Sequence, residues 1–167
     1  MDVLMERISV RDFTDEPVSD SDVESIMKAA MQAPSARNQQ AWEFIVVDDP
    51  ELIGKLSGAS PYAGPVSRAP MAIVVMGDRD RMTVPQMWMQ DMGACIENLM
   101  LRARELNLGT CWIGIAPERE RMDFISGMFS LPDNLEPSAI IAIGHPKGPI
   151  VAKEPRYDPA RVHRNGL

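Results

Sequence analysis

Apolar residues recur along this chain with two different periods, and the changes between them predict its helices and strands. Four short apolar runs are rich in β-branched or aromatic residues and are bounded by turn residues, which is typical of buried strands. These predicted strands are residues 42–47, 71–76, 110–115 and 139–143. Between them the apolar residues recur every three or four positions, which predicts helices with one buried face.

Capping residues and prolines mark the ends of the predicted helices. Ser19 and Asp22 have the spacing of a capping box, and the apolar stripe that follows them stops before Pro34. Asp49 followed by Pro50 predicts a cap and a first helical residue for a short helix. Gly109 is expected to end the longest helix. The predicted helices are residues 1–6, 19–33, 51–56, 85–107 and 117–125. Strands and helices therefore alternate, and 167 residues suit a single domain spanning 1–167.

The last part of the chain, residues 145–167, has no periodicity and is expected to be an extended arm. It carries the apolar residues Val151, Tyr157 and Val162, which have no obvious partner in the predicted fold. Such arms often pack on a second subunit. We therefore expect an α+β fold that forms a homodimer by exchanging terminal segments. The alternative is a monomer with a loosely attached tail.

Charge and composition exclude several classes of function. The formal net charge is -7, which argues against non-specific binding of nucleic acid or of an anionic membrane. Two cysteines without metal-binding spacing and only two histidines argue against a metal site. No apolar run reaches about 18 residues and no signal peptide is apparent, so we expect a cytoplasmic protein with reduced thiols.

Motifs of common enzyme classes are absent from the sequence. It contains no GxGxxG dinucleotide motif, no phosphate-binding GxxxxGK[ST] loop and no GxSxG nucleophile motif. Carboxylates are plentiful, but no pair of them stands out from the polar helix faces. The candidate functional residues therefore lie in three less specific clusters.

The first cluster is the segment from Arg7 to Arg11. Alternate residues of an extended segment share a face, so Arg7, Ser9 and Arg11 would point the same way. Two guanidinium groups with a hydroxyl between them would suit an anion, because guanidinium matches phosphate with two hydrogen bonds. The same triplet is also typical of solvated surface.

Two further clusters lie between predicted elements. Residues 34–42 (PSARNQQAW) form a loop of small residues and amides, which can approach a flat ligand closely and both donate and accept hydrogen bonds. Residues 108–114 (LGTCWIG) end in Gly114, where a backbone N–H could face a ligand with no side chain in the way. An ordinary connecting loop and an ordinary strand-end glycine are the alternatives.

Taken in order along the chain, these clusters resemble the nitroreductase family. The matching pattern is RxSxRxF, then PSAxNQQxW before a strand, then LGTCWIG after a long helix, then GHP and a basic tail. The resemblance covers about Arg7 to His163. It implies a mixed or antiparallel sheet flanked by helices, and an FMN cofactor bound at the interface of a homodimer.

The resemblance also implies which residues bind the FMN phosphate and ribityl chain. Arg7 and Arg156 would contact the phosphate, and Ser9 would bond the ribityl chain or the phosphate. Arg11 would lie near flavin N1 and the C2 carbonyl, where positive charge stabilises the reduced ring.

Other residues would contact the flavin ring. Asn38 would hydrogen-bond its pyrimidine edge, and the turn at Ile113 and Gly114 would offer a backbone N–H to flavin N5. The residues that would line the ring from the other subunit are Pro34, Ser35 and Ala36. Arg37 departs from the small residue common at this position. It would suit an anionic substrate or the 2′-phosphate of NADPH, or it is a surface residue.

The implied activity is an FMN-dependent oxidoreductase. NAD(P)H would deliver hydride to N5 and leave, and a nitroaromatic, quinone or similar acceptor would take its place in a ping-pong cycle. No side chain need act as acid or base, so we assign no catalytic residue and no metal. The alternatives are a same-fold enzyme that breaks down flavin or removes a halogen, and a flavin-storing protein without turnover.

Overall fold

A four-stranded antiparallel sheet lies at the centre of the computed structural model, which describes residues 2–152 and 154–166. The strand order is β1-β2-β4-β3, so β1 and β3 are the edges. The strands are β1 (Trp42–Val47), β2 (Met71–Asp78), β3 (Gly109–Gly114) and β4 (Leu135–Gly144). The predicted α+β class is confirmed, and every pairing between these four strands is antiparallel.

Helices cover both faces of the sheet. The helices are α1 (Val3–Glu6), α2 (Asp20–Met31), α3 (Pro50–Leu56), α4 (Trp88–Glu105) and α5 (Arg119–Phe129). Apolar residues of α2 and α4 pack on one face, and those of α3 and α5 pack on the other. Successive residues of a strand point to opposite faces, so Ile73 joins the first cluster and Val74 the second. The central strand β2 is buried along its whole length.

The register of the strands defines two ends of the sheet. At one end β1 begins, β2 ends and β3 ends, because Trp42 pairs with Gly77 and Gly114 pairs with Ala139 in the first half of β4. At the other end β3 begins, where Thr110 pairs with Ile143. The predicted site residues are divided between these two ends.

Local signals located several boundaries correctly. The Ser19 hydroxyl accepts a hydrogen bond from the backbone N–H of Asp22 and caps α2, and Asp49 caps α3 in the same way through Leu52. Strand β1 has the predicted bounds.

Other boundaries differ from the prediction. Helix α4 ends through Asn107, which adopts a left-handed φ of 61°, and Gly109 is already the first residue of β3. The assignment of Gly109 as the end of the helix was therefore wrong, because asparagine tolerates that conformation as well. Strand β4 begins at Leu135 rather than at residue 139. Its polar start is held by pairing with the end of β2 across an irregularity in the register.

Short single-turn helices occupy several predicted loops and the starts of predicted helices. They are Ala36–Asn38, Ser57–Ala59, Val66–Arg68, Arg79–Arg81, Pro85–Met87 and Pro159–Arg161. Pro85 therefore begins a short turn rather than α4 itself, and α5 begins at Arg119 after the extended residue Glu118.

The N-terminal segment pairs with its own chain. Phe13 forms an antiparallel bridge with Pro146, and the N–H of Thr14 donates to the His145 carbonyl at 2.9 Å. Beyond this point the arm is largely exposed, with Val151 70% and Tyr157 75% exposed. Exchange of terminal segments between two copies stays a prediction. Within the described residues, none of the helices has the length and apolar character that crossing a membrane requires.

Candidate functional site

Two of the predicted anion-binding arginines line one small cavity. Arg7, at the end of α1, and Arg156, in the C-terminal arm, face a cavity of about 160 Å³. The other lining residues are Leu4, Met5, Ile8, Glu154 and Pro155. Arg7 and Arg156 are far apart in the sequence, so only the fold brings their charges to a common space. A pair of guanidinium groups in a negatively charged chain is suited to a phosphate.

Arg7 is held by an acidic residue of α4. Its Nε donates to Glu97 Oε1 at 3.0 Å, and the Arg7 side chain is only 19% exposed. The neighbouring Glu6 accepts from Arg104 Nη2 at 2.9 Å. These two ion pairs fix α1 on α4, and the remaining N–H groups of the Arg7 guanidinium stay available to an anion.

Ser9 lies along the edge of β3. It forms a parallel bridge with Thr110, and the next N–H, that of Val10, donates to the Thr110 carbonyl at 2.9 Å. Ser9 itself is exposed. The segment therefore runs beside the start of β3 as a short extra strand with an exposed hydroxyl.

Arg11 continues this segment but does not line the cavity of Arg7 and Arg156. Its Nη1 donates to the Ser9 carbonyl at 3.3 Å, and its own carbonyl accepts from Arg68 Nε at 2.9 Å. Burial raises the pKa of the nearby Cys111 thiol, and the charges of Arg11 and Arg68 oppose that shift. Two cations therefore lie close to β3 at this position.

Gly114 presents its backbone on the outer edge of β3. The Ile115 N–H donates across the sheet to Ser138, whereas the Thr110 carbonyl points outward to Val10. Backbone groups of an antiparallel strand alternate in direction, so the N–H of Gly114 points outward like the carbonyl of Thr110. A Cβ added at Gly114 would meet no atom within 4 Å, so the space beside it is open. Its neighbour Ile113 turns its side chain into the core.

The loop before β1 has an unusual backbone. Arg37, Asn38 and Gln40 have φ of 49°, 56° and 47°, in the left-handed region that side chains other than glycine rarely adopt. Side chains within the loop bond to one another. Gln40 donates to the Asn38 side-chain oxygen at 2.9 Å, and its N–H donates to the Ser35 hydroxyl at 3.0 Å. Such a conformation persists when the surrounding structure holds it.

A buried carboxylate of α4 holds this loop. Asp91 is 5% exposed, and it accepts from the Ala36 N–H at 2.9 Å and from Gln39 Nε2 at 2.5 Å. The Gln39 side-chain oxygen accepts in turn from the N–H of Val84 at 2.9 Å. Among the described residues, the two donors to Asp91 both lie within residues 36–39, so the carboxylate pins the segment that presents the predicted ring contacts.

The loop at 34–40 and the segment at 7–11 lie at opposite corners of the sheet. The loop precedes β1 at one end, and Ser9 pairs with β3 at the other end. Three strand spacings, about 14 Å, separate β1 from β3 across the sheet. One chain therefore does not bring the two groups together, as expected if Pro34, Ser35 and Ala36 act on a site of a second copy.

Comparison with known proteins identifies the family. The model of the nitroreductase family matches residues 4–63 and 61–145. This chain belongs to the nitroreductase family. The matched residues include the segment from Arg7 to Arg11, the strand β3 that it pairs with, and the loop that Asp91 holds.

Relatives of this nitroreductase-family chain agree with it over nearly their full lengths. A protein of Archaeoglobus fulgidus, provisionally named an NADH dehydrogenase/NAD(P)H nitroreductase, is 40% identical over 95% of this chain and 92% of its own. A structure described as a provisional NADH oxidase of Clostridium acetobutylicum superposes with a TM-score of 0.97 at 41% identity, covering 99% and 100% of the two chains.

A second similar structure holds a cofactor. It is a provisionally named nitroreductase of Desulfovibrio desulfuricans in complex with FMN, with a TM-score of 0.83 and 31% identity over 99% of this chain and 95% of that one. Its fold covers the elements of the nitroreductase-family chain that carry the predicted site.

Sequence patterns missed the residues that support this site. Asp91 and Gln39 are 52 positions apart, and Glu97 lies in the middle of α4 among ordinary polar positions. No local pattern marks them, although an acidic residue within an otherwise buried helix stripe is the one available signal for Asp91. Within residues 2–152 and 154–166, no three potential metal ligands cluster.

Proposed function

We propose that two copies of this chain bind FMN between them and transfer hydride from NAD(P)H to flavin N5, and then electrons to a nitroaromatic, quinone or similar acceptor. As a member of the nitroreductase family, the chain is an FMN-dependent oxidoreductase. The observation that carries the finer proposal is that Arg7 and Arg156 share one cavity and that the segment after Arg7 pairs with β3, an edge strand that ends at Gly114 next to open space.

The residues present fit this cofactor. Its phosphate carries a charge of about -1.5 to -2, which needs local cations in a chain of net charge -7. Arg7 and Arg156 supply them at one cavity, and Ser9 adds a hydroxyl on the same N-terminal segment. Glu97 orients Arg7 through Nε, which reduces the side-chain entropy lost when an anion binds.

Backbone groups supply the contact at the reactive edge. When bound, FMN supplies the redox chemistry, with N5 as the atom that accepts hydride. Gly114 offers an outward N–H next to open space, and an N–H held in place costs no reorganisation when charge develops in the reaction. Arg11 contributes positive charge beside β3, which favours a reduced and more negative flavin.

In this proposal the partner copy supplies the remaining contacts to the flavin ring. Asp91 and Gln39 hold residues 34–38 in one conformation, and that loop lies too far from the Ser9 segment to serve the same molecule's site. In a homodimer, the loop before β1 of each copy would reach the β3 edge of the other copy, so each flavin would contact the loop of one copy and the Ser9 segment of the other. Asn38 would then meet the polar pyrimidine edge of the flavin.

Absorbance spectra of the purified protein test the proposal. We expect a yellow protein or one that becomes yellow with added FMN, and bleaching of the oxidised-flavin band by NADH or NADPH under nitrogen. The bleached protein should recover its colour when a nitroaromatic or a quinone is added. Tight FMN binding without bleaching by either nicotinamide would favour storage or another electron donor. A protein that stays colourless in FMN would overturn the site.

A further inference from the structure

The peptide group that follows Gly114 is held from two sides. Its N–H, that of Ile115, donates to the Ser138 carbonyl at 3.1 Å. Its carbonyl, that of Gly114, accepts from Arg121 Nη1 at 3.1 Å. Arg121 belongs to α5, so this bond ties the end of β3 to the next helix.

Glycine leaves this position without a steric restraint of its own. With no Cβ, Gly114 has a wide choice of φ and ψ, and added side-chain atoms would meet nothing within 4 Å. Rotation about its backbone would turn the outward N–H away from its direction. The pairing of Ile113 with Ile140 holds the peptide before Gly114, and Arg121 holds the carbonyl of the peptide after it, so the backbone angles of Gly114 are restrained from both sides.

We propose that Arg121 is a positioning residue that aims the Gly114 N–H by holding the Gly114 carbonyl. This inference rests on the proposed function, in which that N–H faces flavin N5. The guanidinium also places a positive charge against this carbonyl, and polarisation of the same peptide strengthens the bond from its Ile115 N–H to Ser138, so the two bonds that hold this peptide reinforce each other. Arg121 touches the glycine and acts on the cofactor through it.

The Arg121 side chain is itself kept in place. Its guanidinium carbon lies 5.7 Å from the centre of the Tyr62 ring, within the range of a cation–π contact. Tyr62 is fixed at its backbone, where its N–H donates to the buried Ser60 hydroxyl at 3.2 Å. Among the described residues, none of the ion pairs involves Arg121, although Glu118 and Glu120 line the same cavity of about 320 Å³. Its charge is therefore directed to the carbonyl and the ring.

Three variants of the full-length FMN-loaded protein separate these contributions. Arg121→Met keeps a long side chain beside Tyr62 and removes the donor, and Arg121→Lys keeps the charge with a single-point donor. Arg119→Met is the matched control, because Arg119 lies on the same helix with a 76% exposed side chain paired to Asp123. The main readout is the reduction potential of bound FMN, measured by dithionite titration against an indicator dye without any nicotinamide.

We expect Arg121→Met to shift the potential to more negative values and to slow flavin reduction at saturating NAD(P)H by about ten- to a hundredfold. KM for NAD(P)H and the thermal midpoint should change little, Arg121→Lys should lie between Met and wild type, and Arg119→Met should match wild type. A wild-type potential in Arg121→Met, or a lysine variant no better than methionine, would overturn the assignment.

A fourth variant covers the case in which Arg121→Met does not fold. Tyr62 is 72% exposed, so Tyr62→Leu leaves the core intact while loosening the guanidinium. It should shift the potential in the same direction, and an unshifted potential there would also overturn the assignment. If wild-type FMN is not reduced by either nicotinamide, the proposed function fails, but the dithionite potentials still decide the role of Arg121.

Discussion

The side chain of Val10 occupies the space that a side chain on Gly109 would need. A Cβ placed on Gly109 would come within 2.8 Å of Cβ, Cγ1 and Cγ2 of Val10. This close approach lets the Val10 N–H reach the Thr110 carbonyl at 2.9 Å. The glycine of the LGT motif thus seats the N-terminal segment, and with it Ser9 and Arg11, against β3.

Gly109→Ala should therefore displace the N-terminal segment that carries Ser9 and Arg11 at the proposed cofactor site. The methyl group would push Val10 away, and overpacking of this kind costs about 1–3 kcal/mol in the free energy of unfolding. We expect FMN affinity to fall together with stability, measured by fluorescence titration and urea unfolding. Gly54→Ala is the control, because a Cβ there meets nothing within 4 Å and alanine favours the α3 helix. Wild-type FMN affinity in Gly109→Ala would contradict the seating role.

Removing either arginine of the cavity should weaken binding of the FMN phosphate. Arg7→Ala or Arg156→Ala should cost about 1.5–3 kcal/mol of FMN binding free energy, the value of a hydrogen bond to a charged group. Affinity for riboflavin, which lacks the phosphate, should change little. Arg161→Ala is the control on the same arm, since Arg161 is 85% exposed and pairs with Asp158. Equal losses for FMN and riboflavin would mean that these arginines do not bind the phosphate.

Asp91→Asn should loosen the loop before β1. The carboxylate accepts from the Ala36 N–H and from the Gln39 side chain. Asparagine has only one acceptor oxygen, so its NH2 group would face one of these two donors and could not accept from it. We expect a loss of about 1–3 kcal/mol in the free energy of unfolding, because a buried polar group is left without its partner. Urea unfolding measures it. Asp123→Asn, at an exposed surface pair on α5, should change stability by much less.

Truncation after Gly148 tests the C-terminal arm. It removes Arg156 from the cavity and takes away the exposed apolar residues Val151 and Tyr157. We expect both the dimer and FMN binding to be lost, as followed by light scattering and absorbance. A truncated protein that remains dimeric and yellow would refute the role of the arm at the interface.

Local chemistry made much of the fold predictable. The caps at Ser19 and Asp49 and the strand Trp42–Val47 follow from neighbouring residues, because a capping hydroxyl or carboxylate bonds an N–H only three positions away. The order of the site motifs was likewise sufficient to indicate the family that the comparison then established. The end of α4 could not be predicted in this way, because Asn107 and Gly109 both permit a helix to end. In the structure the helix ends through Asn107, and Gly109 begins β3.

The sequence alone determined where most helices and strands lie and which segments are basic or rich in amides, because periodicity and capping act over a few residues. Folding in three dimensions selected which of those segments meet. It joined Arg7 to Arg156, seated Val10 on Gly109 and set Asp91 beneath a loop more than fifty positions earlier in the chain. Such contacts arise when burial and hydrogen bonding are satisfied across the whole core, so no short stretch of residues encodes them alone.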